Sequence, residues 1–414
     1  MTATNEQADA ADPLLSELYF EQPERVIAEL RENDPVHYIE PFDAWMITRY
    51  DDVRQLFIDP HVSNDRRYFK HNQPAPEGSY LRWMSEHNFF AAPEDEHQRM
   101  RDLVSKTMTP RGVRRMEGQI RDVVDQFSAK LRDRSGVVDM VDEFCGPIPN
   151  TVISRITGIP AKENDEVRFR ELARDVISGI SPLLDDESRT RAENAIVELS
   201  SWVRELAEER KARPQEDLIS DLLRKDGNES PATFEEIILV ITGLVAAGSE
   251  TTSMGTTMAL RTLYRNPEEM AKLRADRTLM PNAVRELLRY DFGSGGLPRY
   301  AIEDFELRGQ RIRKGQPLFL SFTGAHRDPE VFQDPDRFDI RRDTKDLTIF
   351  GRGPHYCIGA NLAQLEMSIM LNAALDVLPE DSKLLEGQIE WMRMGMFSRA
   401  ETMPVDFGSR VPTQ

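Results

Sequence analysis

The stretch Phe350-Gly351-Arg352-Gly353-Pro354-His355-Tyr356-Cys357-Ile358-Gly359 holds one of only two cysteines in 414 residues. Two glycines and a proline precede the thiol, so the backbone turns tightly and can approach a flat ligand. A helical period begins directly after it. A thiol at that place faces the positive end of a helix and can accept backbone amides, which favours the thiolate. No second cysteine or histidine has the spacing of a structural zinc site. A lone thiolate suits the axial position of a haem iron instead. The other cysteine, Cys145, sits in Phe144-Cys145-Gly146-Pro147 with no candidate co-ligand and reads as a small buried residue.

A second pattern, Ala246-Ala247-Gly248-Ser249-Glu250-Thr251-Thr252, puts an acid and two hydroxyls after an apolar run. A mid-helix threonine hydroxyl can donate back to a carbonyl of the preceding turn and distort the helix locally. The resulting groove can hold dioxygen and water over an iron. A third pattern, Glu96-His97-Gln98-Arg99-Met100-Arg101, sets His97 and Arg101 on one helical face at i and i+4. Such a pair can bind carboxylates.

The cysteine loop reads Phe, two residues, Gly, three residues, Cys, one residue, Gly. With the acid–Thr pattern it resembles a soluble bacterial cytochrome P450, from an early hairpin to Pro404-Val405. The resemblance implies a mainly α fold with a smaller β-rich part, and haem b between a long central helix and the cysteine-loop helix. Cys357 would be the axial iron ligand, with Phe350 and Gly351 shaping the loop around it. His97, Arg101, Arg299 and His355 would bind the haem propionates. Thr251 would support activated dioxygen and its water, and Glu250 would relay protons to it. In Glu286-Leu287-Leu288-Arg289, Glu286 and Arg289 would lock with Arg337 behind the cysteine loop and serve folding and haem retention. The substrate would lie among the 64–90 segment, the helix pair around 176–184, and Val245, Ala246 and Ala247 of the central helix. Gly295, Gly296 and Leu297 of a small-residue turn would add to its walls, and Met396 and Phe397 would cap it. That turn can mean extra room near the iron, mobility, or nothing more than a flexible turn.

The activity so implied is insertion of one oxygen atom of O2 into a hydrophobic small molecule, by hydroxylation or epoxidation. Electrons would come from NAD(P)H through a separate [2Fe–2S] ferredoxin and its reductase. A peroxide-driven or non-oxygenating enzyme on the same fold, and a haem-binding sensor without turnover, are the rival readings. Two departures bear on the subfamily: His326 stands where the family often has Asn, and Leu347-Thr348 where it often has His-Leu.

The elements that position these groups follow from pattern. Thr233 and Glu236 have capping-box spacing, and Asn266-Pro267 should end the helix they open. Its first half is apolar almost all round, so it should cross the interior. Val36–Ile39 and Ala44–Thr48 read as a hairpin, residues 59–93 as irregular, and Glu306–Leu307 and Pro317–Ser321 as strands. Two long helices are expected at 163–180 and 192–210 with a break at Ser181-Pro182, and a last one from Ile358 to Val377. A single haem domain over 14–407 between short tails, 1–13 and 408–414, is expected.

Net charge is −19, from 53 bases and 72 acids. That disfavours nucleic acid and anionic lipid as partners. The longest nearly apolar run, Ile237–Gly248, has twelve residues, where a bilayer span needs about 20. The first residues lack a basic start and apolar core. A cytoplasmic monomer without a membrane anchor is the expectation. Basic exceptions cluster at Lys106, Arg111, Arg114 and Arg115, and at Arg341, Arg342, Lys345 and Arg352. In the family fold both segments lie on the cysteine side of the haem, where an acidic ferredoxin would dock.

Overall fold

Thr233 accepts the Glu236 amide while Glu236 reaches back to the Thr233 amide, which completes the capping box. From this cap the central helix runs unbroken over Phe234–Arg265, 32 residues, and stops at Asn266 before Pro267. It is long and apolar enough to cross a membrane, but 61% of its apolar window is buried inside the protein. The partners that bury it include Pro147–Thr157, Asp165–Ser178, Asp186–Ala212 and the cysteine helix Ala360–Val377. The cysteine helix packs in turn against Pro110–Arg132 and Met280–Tyr290. Around these helices lies one large apolar core.

The computed structural model describes residues 12–89, 91–159, 165–179, 184–224, 231–293, 295–394 and 397–409. The expected break at Ser181-Pro182 lies outside them. The hairpin is Val36–Ile39 against Ala44–Ile47, antiparallel, with Asp43 at φ 43° closing the turn. It edges a five-stranded sheet that continues through Pro317–Ser321, Gly296–Ala301 and Val62–Ser63. Ala44–Ile47 joins Pro317–Ser321 in parallel, and Gly296–Ala301 joins the same strand antiparallel. Trp391–Met394 and Phe397–Ala400 form a separate antiparallel pair.

Three expectations need adjusting. The 59–93 stretch carries a helix, Tyr80–His87, capped by Ser79 and anchored by buried Leu81 and Met84. Two apolar anchors in eight residues are too few for a period to stand out. The cysteine helix begins at Ala360, because Cys357–Gly359 form the turn that presents the thiol. Asp12 and Pro13 already belong to the fold, since Asp12 caps a short turn and its carboxylate meets His37 at 3.2 Å.

Candidate active site

The cysteine loop is held by its own backbone. The Cys357 amide donates to the Phe350 carbonyl at 2.8 Å, and the Gly351 amide donates to the Thr348 carbonyl at 2.8 Å. Gly353 has φ +69°, and a Cβ there would stand 2.6 Å from the Ile58 side chain. Glycine is required at that position for both conformation and space. Cys357 has accessible surface, yet burial is the largest influence on its thiol and pushes its pKa up, against the Gly359 and Ala360 amides and Arg101, which pull it down. A side chain that faces an internal cleft has both properties. The expected low thiol pKa therefore does not hold for the metal-free thiol, although a bound metal deprotonates a coordinating thiol outright.

Four basic side chains converge beside this loop. His97 is 5% exposed, and its ring lies 4.2 Å from that of His355. Arg101 donates to the Tyr356 carbonyl at 2.9 Å. Arg299 is 6% exposed, donates to the Pro298 carbonyl, and lies over the Phe57 ring at 5.0 Å. Burial, then the charges of His97, Arg299 and Arg101, lowers the His355 pKa to about 4. Burial lowers that of Arg299 to about 10. His355 also bonds the Phe89 carbonyl. Among the described residues, no carboxylate is paired with any of the four. A buried guanidinium without a counter-ion is costly. A flat group with two carboxylates, next to a cysteine sulfur, is what this cluster fits, and haem is such a group.

On the central helix, Gly243, Ala247 and Thr251 are accessible at i, i+4 and i+8, one face of the helix. The Thr251 hydroxyl donates to the Ala247 carbonyl at 2.6 Å, as the sequence suggested. The helix nonetheless stays continuous there. Val245 and Ala246 are buried at 0% and 4%. Both are less accessible than Ala247. Leu297 is accessible. Gly296 is small for another reason: a Cβ would lie 2.2 Å from the Leu320 carbonyl oxygen of the neighbouring strand. Gly295 accepts the Phe322 amide at the end of the same strand pair. The close strand crossing is enough to explain Gly296. Met396 and the side chain of Phe397 lie outside the described residues.

Glu250 does not meet Thr251. Its carboxylate accepts from Arg399 Nη1 at 2.9 Å. Nothing in the local sequence announced this pair, because the partner is 149 residues away.

Behind the cysteine loop, Glu286 and Arg289 are both 0% exposed in their side chains and meet at 2.7 Å. Glu286 also accepts from the Asp339 amide and from Arg342 Nε, each at 3.1 Å. The third member of the lock is therefore Arg342. Arg337 is 68% exposed, with Asp339 4.0 Å away. The Asp334–Arg337 turn directs it outward, and its carbonyl accepts from Arg342. Arg289 continues the chain of contacts to the His326 carbonyl at 2.7 Å. His326 Nε2 accepts the Thr348 amide at 3.0 Å and lies 2.9 Å from its hydroxyl. The two departures from the family pattern thus meet each other.

Of the basic exceptions, Arg111, Arg114, Arg115, Arg341 and Arg352 are exposed. Arg342 is taken by Glu286, and Lys345 pairs with Asp343 at 3.3 Å. Asn361 donates to the Met108 carbonyl at 3.1 Å, which ties the Lys106–Arg115 segment to the start of the cysteine helix.

Residues 35–377 match the family model described as Cytochrome P450. The chain belongs to the cytochrome P450 family. It is 32% identical to the cytochrome P450 monooxygenase PikC of Streptomyces venezuelae, over 98% of this chain and 97% of that one. It is 34% identical to the epothilone C/D epoxidase of Sorangium cellulosum, over 87% of each. Its identity to the 6-deoxyerythronolide B hydroxylase of Saccharopolyspora erythraea is 32%, over 92% of this chain and 95% of that one. The fold matches that of epothilone D-bound P450epoK with a TM-score of 0.86 at 30% identity, over 96% and 99% of the two chains. This P450 is a monooxygenase that uses haem b, dioxygen and electrons from NAD(P)H through redox partners.

Proposed function

We propose that this P450 hydroxylates or epoxidises a bulky, mainly apolar polyketide-type molecule in the cytoplasm, acts as a monomer, and draws electrons from an acidic [2Fe–2S] ferredoxin. The epoxidase and hydroxylase relatives act on compounds of that class by their names. The accessible face of the central helix offers Ala247, a small side chain, and apolar surface favours an apolar ligand. The exposed arginines at 111, 114, 115 and 352 give the ferredoxin a basic landing site on an otherwise acidic protein.

The observation that carries the residue roles is the unpaired basic cluster beside the cysteine loop. Haem, when bound, supplies dioxygen binding and oxygen transfer. Cys357 would hold it through its sulfur, which is turned toward the Gly359 and Ala360 amides. Arg101, Arg299, His97 and His355 would hold its carboxylates and gain the counter-ions they lack. The Thr251 hydroxyl would orient a water on the cleft face, and Glu250 would carry protons from solvent to that water.

The reduced carbon monoxide complex tests the first role. A long-wavelength Soret band is expected, and Cys357→Ser should abolish it. An imidazole-like band in fresh protein would sink the assignment. Spin-state titration with macrolactones against fatty acids of equal size tests the substrate class, with the larger shift expected from the macrolactones. Charge reversal at Arg111 and Arg352 should slow ferredoxin-driven turnover and remove its salt dependence.

A further inference from the structure

Glu250, one residue before Thr251 on the central helix, is already committed to a charged partner. Arg399, on the strand Phe397–Ala400, places Nη1 2.9 Å from Glu250 and Nε 2.6 Å from Glu401. Side-chain exposures are 17% for Arg399, 23% for Glu250 and 31% for Glu401. Partial removal from water strengthens such contacts beyond those of open surface pairs. The same two-stranded hairpin is tied to the central helix a second time, where Arg261 lies 5.1 Å over the Trp391 ring. Successive helix residues do not face each other. A carboxylate drawn toward Arg399 is therefore drawn away from the Thr251 hydroxyl, which remains bonded to Ala247.

We propose that Arg399 is a positioning residue that parks Glu250, so that Glu250 can carry a proton into the Thr251 groove only when the pair opens. Glu401 sets the strength of the parking, because it competes for the same guanidinium. Arg399→Gln should then free Glu250. Glu401→Gln should hold it more tightly, since Arg399 keeps a single carboxylate. The two substitutions act in opposite directions, which a merely structural contact would not produce. The inference rests on Glu250 being the proton carrier, and the test separates the two claims.

The test uses haem-loaded enzyme with a ferredoxin and reductase, and two readouts. The first is the infrared carboxylate band of Glu250 in the resting enzyme, identified by its loss in Glu250→Gln. It should shift in Arg399→Gln, stay in place in Arg399→Lys, and move the opposite way in Glu401→Gln. The second is the solvent isotope effect on kcat. It should fall by about twofold in Arg399→Gln, rise in Glu401→Gln, and match the wild type in Arg399→Lys, since a step slowed by pair opening gates the rate. If Arg399→Gln moves neither the band nor the isotope effect, while Glu250→Gln changes the isotope effect, the parking role is overturned and the proton-carrier role stands. If Glu250→Gln and Thr251→Ala both leave the isotope effect at the wild-type value, the proton-carrier role itself is wrong and the parking role falls with it.

Discussion

Two charged clusters flank the cysteine loop, and they differ in completeness. Behind it, Glu286 receives Arg289, Arg342 and the Asp339 amide, and Arg289 passes on to the His326 carbonyl. Every charge there has its partner within the chain. In front of it, His97, Arg101, Arg299 and His355 gather with no carboxylate within ion-pair distance among the described residues. A closed cluster can hold a shape without help. An open one of like sign holds itself together only at a cost, and that cost is recovered when an anion arrives. Completeness, more than burial or charge count, separates the scaffold from the site.

The comparison breaks first at Glu286. Glu286→Gln leaves two buried guanidinium groups without their anion, a loss of roughly 3–5 kcal/mol by the usual cost of breaking a buried pair. Haem content of purified protein and chemical unfolding should both collapse. Retention of haem and of the unfolding midpoint would show that the lock is dispensable.

The next effect is a pH dependence. Burial, then Arg289 and Arg327, lowers the His326 pKa to about 3 from an ordinary 6.5. The folded state therefore refuses a proton that the unfolded chain takes up. Stability is full above pH 6.5 and falls as pH drops toward about 3, by up to about 1.4 kcal/mol per pH unit. His326→Gln keeps an acceptor for the Thr348 amide without the titration. Its unfolding free energy should depend less on pH between 6.5 and 4 than that of the wild type. Equal slopes would mean that other groups dominate.

The open cluster predicts a smaller effect of divided sign. Arg299→Leu removes an uncompensated buried charge, so the haem-free protein should unfold at a higher midpoint, by about 1–2 kcal/mol. The same change should speed haem loss to a scavenger by about tenfold, a difference of 1.4 kcal/mol. If both stability and haem retention fall, Arg299 belongs to the scaffold.

Local signals carried much of this. The capping box and Asn266-Pro267 bounded the central helix to the residue, because both are short-range backbone effects. The cysteine loop, Thr251 and the His97–Arg101 pair were legible because spacing in a turn or one helix face fixes what lies together, while Arg299 and His355 came only from the family resemblance. Long-range partners were not legible. Arg399 reaches Glu250 across 149 residues, and His326 meets Thr348 only because two loops fold back to back. An all-apolar helix gives no period to show which side stays accessible, and only the fold leaves Ala247 more open than Val245 and Ala246. Gly296 stayed ambiguous in the sequence because a close strand crossing and an open pocket both demand glycine.

Arg337 and Arg342 give the finest version of the comparison, since the same short stretch supplies one arginine to each state. Arg337 stands in the position the family pattern favours, yet it is exposed and 4.0 Å from Asp339, a geometry worth about 0–0.5 kcal/mol. Arg342 is 11% exposed and reaches Glu286 together with the carbonyls of Gln333, Asp334 and Arg337. Arg337→Ala should therefore leave unfolding and haem content within about 0.5 kcal/mol of the wild type, while Arg342→Ala should fall well below it. The carbonyl that Arg342 uses on residue 337 is main chain, so Arg337→Ala preserves it, and the two variants separate side chain from backbone. A loss in Arg337→Ala equal to that in Arg342→Ala would place the family's arginine back in the lock.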